Sequence, residues 1–254
     1  LPGVFHIDSP WLYRNAYSAD ENELGKIIAG QLEREIAFQG ADTVAAFIAE
    51  PIQGAGGVIV PPANFWPLVR EVCNRHGVLL IADEVVTGFG RGGVMFGTRL
   101  WGVNADLWCL AKGISSGYVP LGATAVSHKV ADVFDADTSG AAAIAHGYTY
   151  SAHPVAAAAA IATLKLLVER DIPGHVTRVA PAFQQLYSEF DRAIGHYRRY
   201  TAPTLQALTP PGLTVVHVRY LDSLGACLSA ANRLILSKSM PSLAARWTYA
   251  AGSS

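Results

Sequence analysis

Four short apolar runs, each cut off by a polar residue or a turn signal, constrain this chain most. "VAAFIA" (44–49) stops at Glu50-Pro51, "VLLIA" (78–82) at Asp83, "DLWCLA" (106–111) at Lys112, and "LGATAVS" (121–127) before a helical pattern. Apolar runs of this length predict strands buried on both faces. Helical patterns separate them. Asp20 and Glu23 open one that runs to about Gln39, with Leu24, Ile27, Ile28, Leu32 and Ile36 on one face. In "NFWPLVREVCNRHG" (64–77), Asn64 can cap, Pro67 suits the first turn and Gly77 suits the position after the helix. Its apolar face is Phe65, Leu68, Val69, Val72 and Cys73. Further helices are predicted near 128–135, 154–170 and 174–194. Helices alternating with apolar strands predict an α/β layer and a mostly parallel sheet. The last two strands are close enough in sequence to pair antiparallel.

Composition excludes several classes. At 254 residues, 51% hydrophobic and 15% charged, the chain can bury a large core as one large or two small domains. A net charge of −1 removes the electrostatic case for nucleic acid or an anionic membrane as main partner. The longest apolar run, the alanine-rich 154–164, is too short to span a bilayer. Cys73, Cys109 and Cys227 are odd in number and far apart, which indicates neither a disulfide framework nor a zinc site. A reducing cytoplasm is the expected compartment. "LPGVFHIDSP" has no basic region before an apolar one, so no signal peptide is expected, and it reads as the middle of a longer chain.

In parallel sheets, ligands sit beyond the carboxyl ends of the strands. Glu50, Asp83 and Lys112 each stand at one such end, so two acids and a lysine are predicted to meet in one crevice. The other lysines, Lys26, Lys129, Lys165 and Lys238, lie in polar or helical surroundings. Lys112 beside carboxylates can form a salt bridge. In a desolvated, glycine-lined pocket it can instead be a Schiff-base nucleophile, since burial frees the amine. A pyridoxal phosphate site needs such a lysine, and a carboxylate to keep the pyridine nitrogen protonated. Asp83 is the right type for that partner. "HGYTYSAHP" (146–154) offers Tyr148, Thr149, Tyr150 and Ser151 to a phosphate, just before a helix whose N–H groups are free.

Gly113-Ile114-Ser115-Ser116-Gly117 competes for the same turn, because it fits the G-x-S-x-G pattern of serine hydrolases. Asp132 or Asp135, then His146 or His153, would follow in hydrolase order. That elbow needs a helix directly after the serine, and here Gly117, Pro120 and another strand follow. "QGAGG" (53–57) lacks full G-x-G-x-x-G spacing and reads as a flexible turn. His6, His76 and His128 are lone, read as structural or solvated, and no metal site is expected.

"FIAEPIQGAGGVIVPP", "GVLLIADEVVTGFGR", "LAKGISSGYVPLGA" and "HGYTYSAHPVAAA", in this order and spacing, resemble the class III pyridoxal-phosphate aminotransferases over about residues 4–190. With "HIDSPW", the likeness is to the ω-amino acid or amine–pyruvate transaminases, the polyamine type included. The resemblance implies an incomplete fold-type-I large domain, a mostly parallel sheet with helices on both faces. Residues 1–170 would be part of this cofactor-binding domain, 171–194 a helix leading to a small domain, and 195–254 an atypical tail, from a shifted reading frame, a foreign end or divergence. Lys112 would bind the cofactor covalently and move the substrate proton. Asp83 would partner the pyridine nitrogen, Val85 pack on one ring face, Thr149 bind the phosphate across a homodimer interface, and Glu50 stand behind the site.

Departures from the pattern narrow the substrate. Members that handle α-ketoglutarate carry a gating glutamate where this chain has Ala55, and ornithine-type members a glutamine where it has Val86. Both favour pyruvate or another small acceptor, with an ω-amino acid, amine or diamine as donor. The family's glycine-serine phosphate loop and stacking aromatic are not in this chain, and its substrate-carboxylate arginine has no match here. The alternatives are an aminomutase, decarboxylase or lyase on the same fold, the serine hydrolase, and an inactive fragment.

Overall fold

The computed structural model describes residues 2–13, 15–144 and 147–184. Leu1–Thr177 forms one compact unit, and a second begins at Arg178. His146, Cys227, the tail from 195 and the predicted helix beyond 184 lie outside the described residues.

Helix α1 (Glu21–Gln39) starts as the sequence predicts. The Asp20 carboxylate accepts the Glu23 N–H at 2.7 Å, and Glu21 and Glu23 favour the positive end of the helix dipole. Helix α2 (Phe65–His76) ends at Gly77 in the left-handed region (φ 70°), where glycine carries no steric penalty. Asn64 does not cap α2. Its side chain instead donates to the Asn22 carbonyl at 2.8 Å, tying α2 to the start of α1. That tertiary bond outcompetes the local cap.

Strands β1 (Ala46–Ala49), β2 (Leu79–Asp83), β3 (Leu107–Leu110) and β4 (Ala123–Val126) form one sheet in that order. The first three are parallel and β4 is antiparallel to β3, as expected. Helices α3 (His128–Asp135), α4 (Pro154–Glu169) and α5 (Ile172–Gln184) follow.

Leu24, Ile28, Leu32 and Ile36 of α1 meet Trp66, Val69 and Cys73 of α2 over Leu80 and Ala82 of β2. Each fully buried side chain of this size contributes about 1.5–3 kcal/mol. Trp66, which the predicted face omitted, is fully buried and donates Nε1–H to the Pro51 carbonyl at 3.1 Å. The strands are not buried on both faces as their composition predicted. Burial alternates along β2, while Ile48 of β1 and Val126 of β4 are about half exposed, at 55% and 45%. Helices α1 and α2 cover one face, and the described residues cover the other only in part.

At the amino end of the sheet, Asp106 is a buried tie. Its Oδ2 accepts the Leu80 N–H and Arg70 Nη1, both at 2.8 Å, and Lys129 Nζ lies 3.6 Å from Oδ1. Burial acts to raise its pKa. The Leu80 amide, the Arg70 guanidinium and Lys129 outweigh that and hold it below the ordinary carboxylate value.

Candidate active site

Because β1, β2 and β3 are parallel neighbours, their carboxyl ends emerge side by side, with neighbouring strands about 4.8 Å apart. Glu50 directly follows β1, Asp83 is the last residue of β2, and Lys112 stands two residues beyond β3. The structure therefore places the three predicted residues at one edge of the sheet. Asp83 pairs in register with Cys109 of β3. The Cys109 thiol is pushed up, first by burial and then by the negative charge of Asp83, so that charge is felt on the neighbouring strand.

Asp83 Oδ1 accepts the Val85 N–H at 3.1 Å, a local turn bond. Among the described residues its other oxygen has no hydrogen bond and the carboxylate has no salt bridge. Lys112 opens a 3₁₀ turn (Lys112–Ser115) at φ 46°, a left-handed conformation that non-glycine residues rarely adopt. It forms no salt bridge among the described residues. Simple pairing of the lysine with the strand-end acids is therefore not what this arrangement achieves. The desolvated lysine pocket expected from the sequence is not formed either. Lys112 is exposed, although Ile114 of the same turn is buried.

Glu50 has a local task. Its Oε2 accepts the Gly54 N–H at 2.8 Å. The stretch read as a flexible turn is a closed hairpin: Gln53 and Ile59 exchange N–H···O bonds of 3.0 and 2.9 Å. A Cβ on Gly54 would lie 3.3 Å from a Val86 methyl, so the hairpin rests against the residue after Val85. Val85 is half-buried. Glu50 and Gln53 also border a cavity of about 700 Å³ under the N-terminal arm, which Asp83 and Lys112 do not line.

Thr149 is exposed in the turn that leads to α4, between the exposed Tyr148 and Tyr150. No hydrogen bond or ion pair among the described residues joins it to Asp83 or Lys112. Ser115 is buried, and its Oγ donates to the Val119 carbonyl at 2.7 Å. No helix follows it, so the nucleophile elbow is absent and the serine is structural.

Sequence reasoning missed Glu84. It is fully buried, and its carboxylate accepts four bonds: Thr87 Oγ1 (2.6 Å), Gly97 N–H (2.6 Å), Thr98 N–H (2.9 Å) and Thr98 Oγ1 (3.0 Å). The one available signal was a second acid beside Asp83, and its distant partners cannot be read from the sequence. No group of residues suited to hold a metal is found among those described, and no described helix is long and apolar enough to cross a membrane.

The family model for aminotransferase class-III matches residues 1–198. The chain is 47% identical over 188 residues to a probable gamma-aminobutyrate transaminase 4 of Oryza sativa subsp. japonica, covering 73% of this chain and 39% of that protein. It is 44% identical over 190 residues to a putrescine–pyruvate aminotransferase of Pseudomonas aeruginosa, covering 74% and 41%. An amine transaminase from an uncultivated Pseudomonas species, solved in its PLP-bound form, superposes with a TM-score of 0.68 at 52% identity, covering 74% and 42%. The chain thus spans about two fifths of the length of these relatives.

Proposed function

This chain belongs to the class-III aminotransferases, and on that premise we propose that the whole protein moves an amino group from an ω-amino acid, amine or diamine to pyruvate. One observation carries the reading. A carboxylate with an oxygen free and a lysine with no salt bridge stand at neighbouring carboxyl ends of one parallel sheet.

The residues present fit pyridoxal phosphate. The free acceptor of Asp83 suits a protonated pyridine nitrogen, and an unpaired lysine just beyond the next strand suits an aldehyde. When bound, the cofactor supplies an electron sink for negative charge formed on the substrate carbon. Asp83 holds the proton on the pyridine nitrogen, and Val85 packs against a ring face. Lys112 Nζ is the group that would hold the cofactor by its aldehyde. The Lys112 amine, when free, would take the proton from the donor's amine-bearing carbon, and in the return half of the reaction would deliver a proton to the acceptor carbon. Glu50 acts behind these groups by holding the hairpin that rests on Val86.

Ala55, at the tip of that hairpin, and Val86 leave no carboxylate or amide to gate a dicarboxylic acceptor, which supports pyruvate. A relative named for putrescine and pyruvate supports the same pair of substrate classes. Thr149 binds the phosphate of a second copy's cofactor in a homodimer. The exposed Tyr148, Tyr150, Val155 and Ile161 around it support an interface there. Residues 1–170 form part of the large domain, 171–194 lead toward the small one, 195–254 are an atypical tail, and the cytoplasm is the proposed compartment.

Lys112→Ala is the test. The visible absorbance of lysine-bound cofactor should vanish, and alanine formation from pyruvate should fall by about 10²–10⁴-fold, the span of a lost proton-transfer group. The unsubstituted protein should form one alanine per amine consumed. A variant that keeps both the band and the rate overturns the reading.

A further inference from the structure

Glu84 occupies an unusual place. It is a fully buried carboxylate with no cation among the described residues, held by four donors and no acceptor. An isolated charge in such surroundings is costly unless every lone pair is used. Here the donors come from two places in the sequence, Thr87 and the pair Gly97-Thr98, so one carboxylate closes the loop 84–98 on itself.

The loop continues to the lysine turn. Thr98 follows Phe96, whose ring meets Phe89 edge-on at 6.0 Å between centroids. The Phe89 N–H donates to the Met95 carbonyl at 2.7 Å. Phe89 sits at φ 60°, a true outlier for a bulky side chain, and such a conformation persists only when its surroundings enforce it. Its ring presses on Gly113, where a Cβ would lie 3.0 Å from both Phe89 Cβ and Cδ2. Phe89 and Ile114 share one buried cluster with Ala160 and Leu167 of α4. The left-handed Phe89 therefore packs on Gly113, the residue next to the left-handed Lys112.

We propose that Glu84 is a positioning residue for the cofactor site. Its carboxylate clamps the loop that starts at Asp83 and Val85, and through Phe89 that loop sets the turn carrying Lys112. One buried acid thus holds the pyridine partner and the lysine in a common frame. This inference rests on the functional reading above for its purpose, and on the clamp alone for its mechanics.

Hydrogen exchange on the full chain without cofactor, for wild type and Glu84→Gln, tests the mechanics. The amide cannot accept all four bonds, so peptides over 84–98 and over 107–119 should both exchange at least about tenfold faster, as for a lost bond to a charged group. The α1 peptide 21–39 should not change. Thr98→Val removes one hydroxyl donor and should give the same pattern at smaller size, which covers a Glu84→Gln chain that fails to fold. A response confined to 84–98, or equal acceleration in α1, overturns the proposal. Titration with pyridoxal 5′-phosphate adds a readout that stability alone would not move. The affinity should drop about tenfold and the pH midpoint of the bound cofactor's visible band should shift. Failure of the wild type to bind cofactor would refute the functional reading, and the exchange data would still decide the clamp.

Discussion

Asp106 at the amino end of β3 and Asp83 at the carboxyl end of β2 close the same sheet, yet their carboxylates are treated in opposite ways. Asp106 is buried and used on both oxygens by an amide, a guanidinium and an ammonium group. Asp83 is half-exposed and keeps one oxygen free. A saturated acid contributes to the fold, because every bond it makes is present before any ligand arrives. An unsaturated acid one strand away from an unpaired lysine contributes little to the fold and retains its capacity for a ligand. Residue type does not separate the two cases; the count of satisfied lone pairs does.

The sharpest way to break this contrast is Asp83→Asn. Catalysis should fall about 10³-fold, ~4 kcal/mol in the barrier, as when one preorganised electrostatic partner is lost. The denaturation midpoint should stay or rise, since no tertiary bond is removed. Rates of alanine formation and denaturant titration measure the two. A large loss of stability with little loss of rate would put Asp83 in the same class as Asp106.

Asp106→Ala should do the reverse. Removing it leaves the Arg70 guanidinium largely buried, with Nε and Nη2 lacking any other partner. The cost should be about 3 kcal/mol of stability by denaturant titration, with the cofactor's absorbance unchanged. The pH dependence follows in sign. A carboxyl held below its ordinary value gives stability that is complete above the unfolded pKa of about 3.9 and is lost as pH falls through the folded value. Acid unfolding of the wild type should therefore steepen below about pH 4, and Asp106→Asn should flatten that limb. An unchanged acid limb would mean that Asp106 is not held by its partners.

The same distinction explains what could be read from the sequence. Periodicity and capping chemistry are local, so α1, α2, the left-handed Gly77, four strands and the antiparallel β3–β4 pair were legible. So was the shared sheet edge of Glu50, Asp83 and Lys112, which follows from strand ends and parallel order alone. Bonds between distant residues were not. Asn64 reads as a cap and serves α1 instead, and "QGAGG" reads as loose where a backbone bridge closes it. Glu84 meets donors 13 and 14 residues away. Burial on both faces was overestimated because an apolar run records what a strand can tolerate, and here one face is only partly covered.

Two glycines carry the comparison to a smaller scale. Gly113 lies at the carboxyl end, and an added Cβ would meet Phe89 at 3.0 Å, so Gly113→Ala must push the ring or the lysine turn. About 2 kcal/mol of stability should be lost, as in overpacked cores, together with weaker cofactor binding. Gly77 lies at the amino end, at φ 70°, with nothing within 4 Å of an added Cβ. Gly77→Ala therefore meets backbone strain and no neighbour, and should cost only about 1 kcal/mol. Nothing displaced there can reach the strand tips, so cofactor affinity should not move. Thermal unfolding and pyridoxal 5′-phosphate titration of both variants decide it. If Gly77→Ala weakened binding as much as Gly113→Ala, the two ends would be mechanically one, and the division of labour between them would not hold.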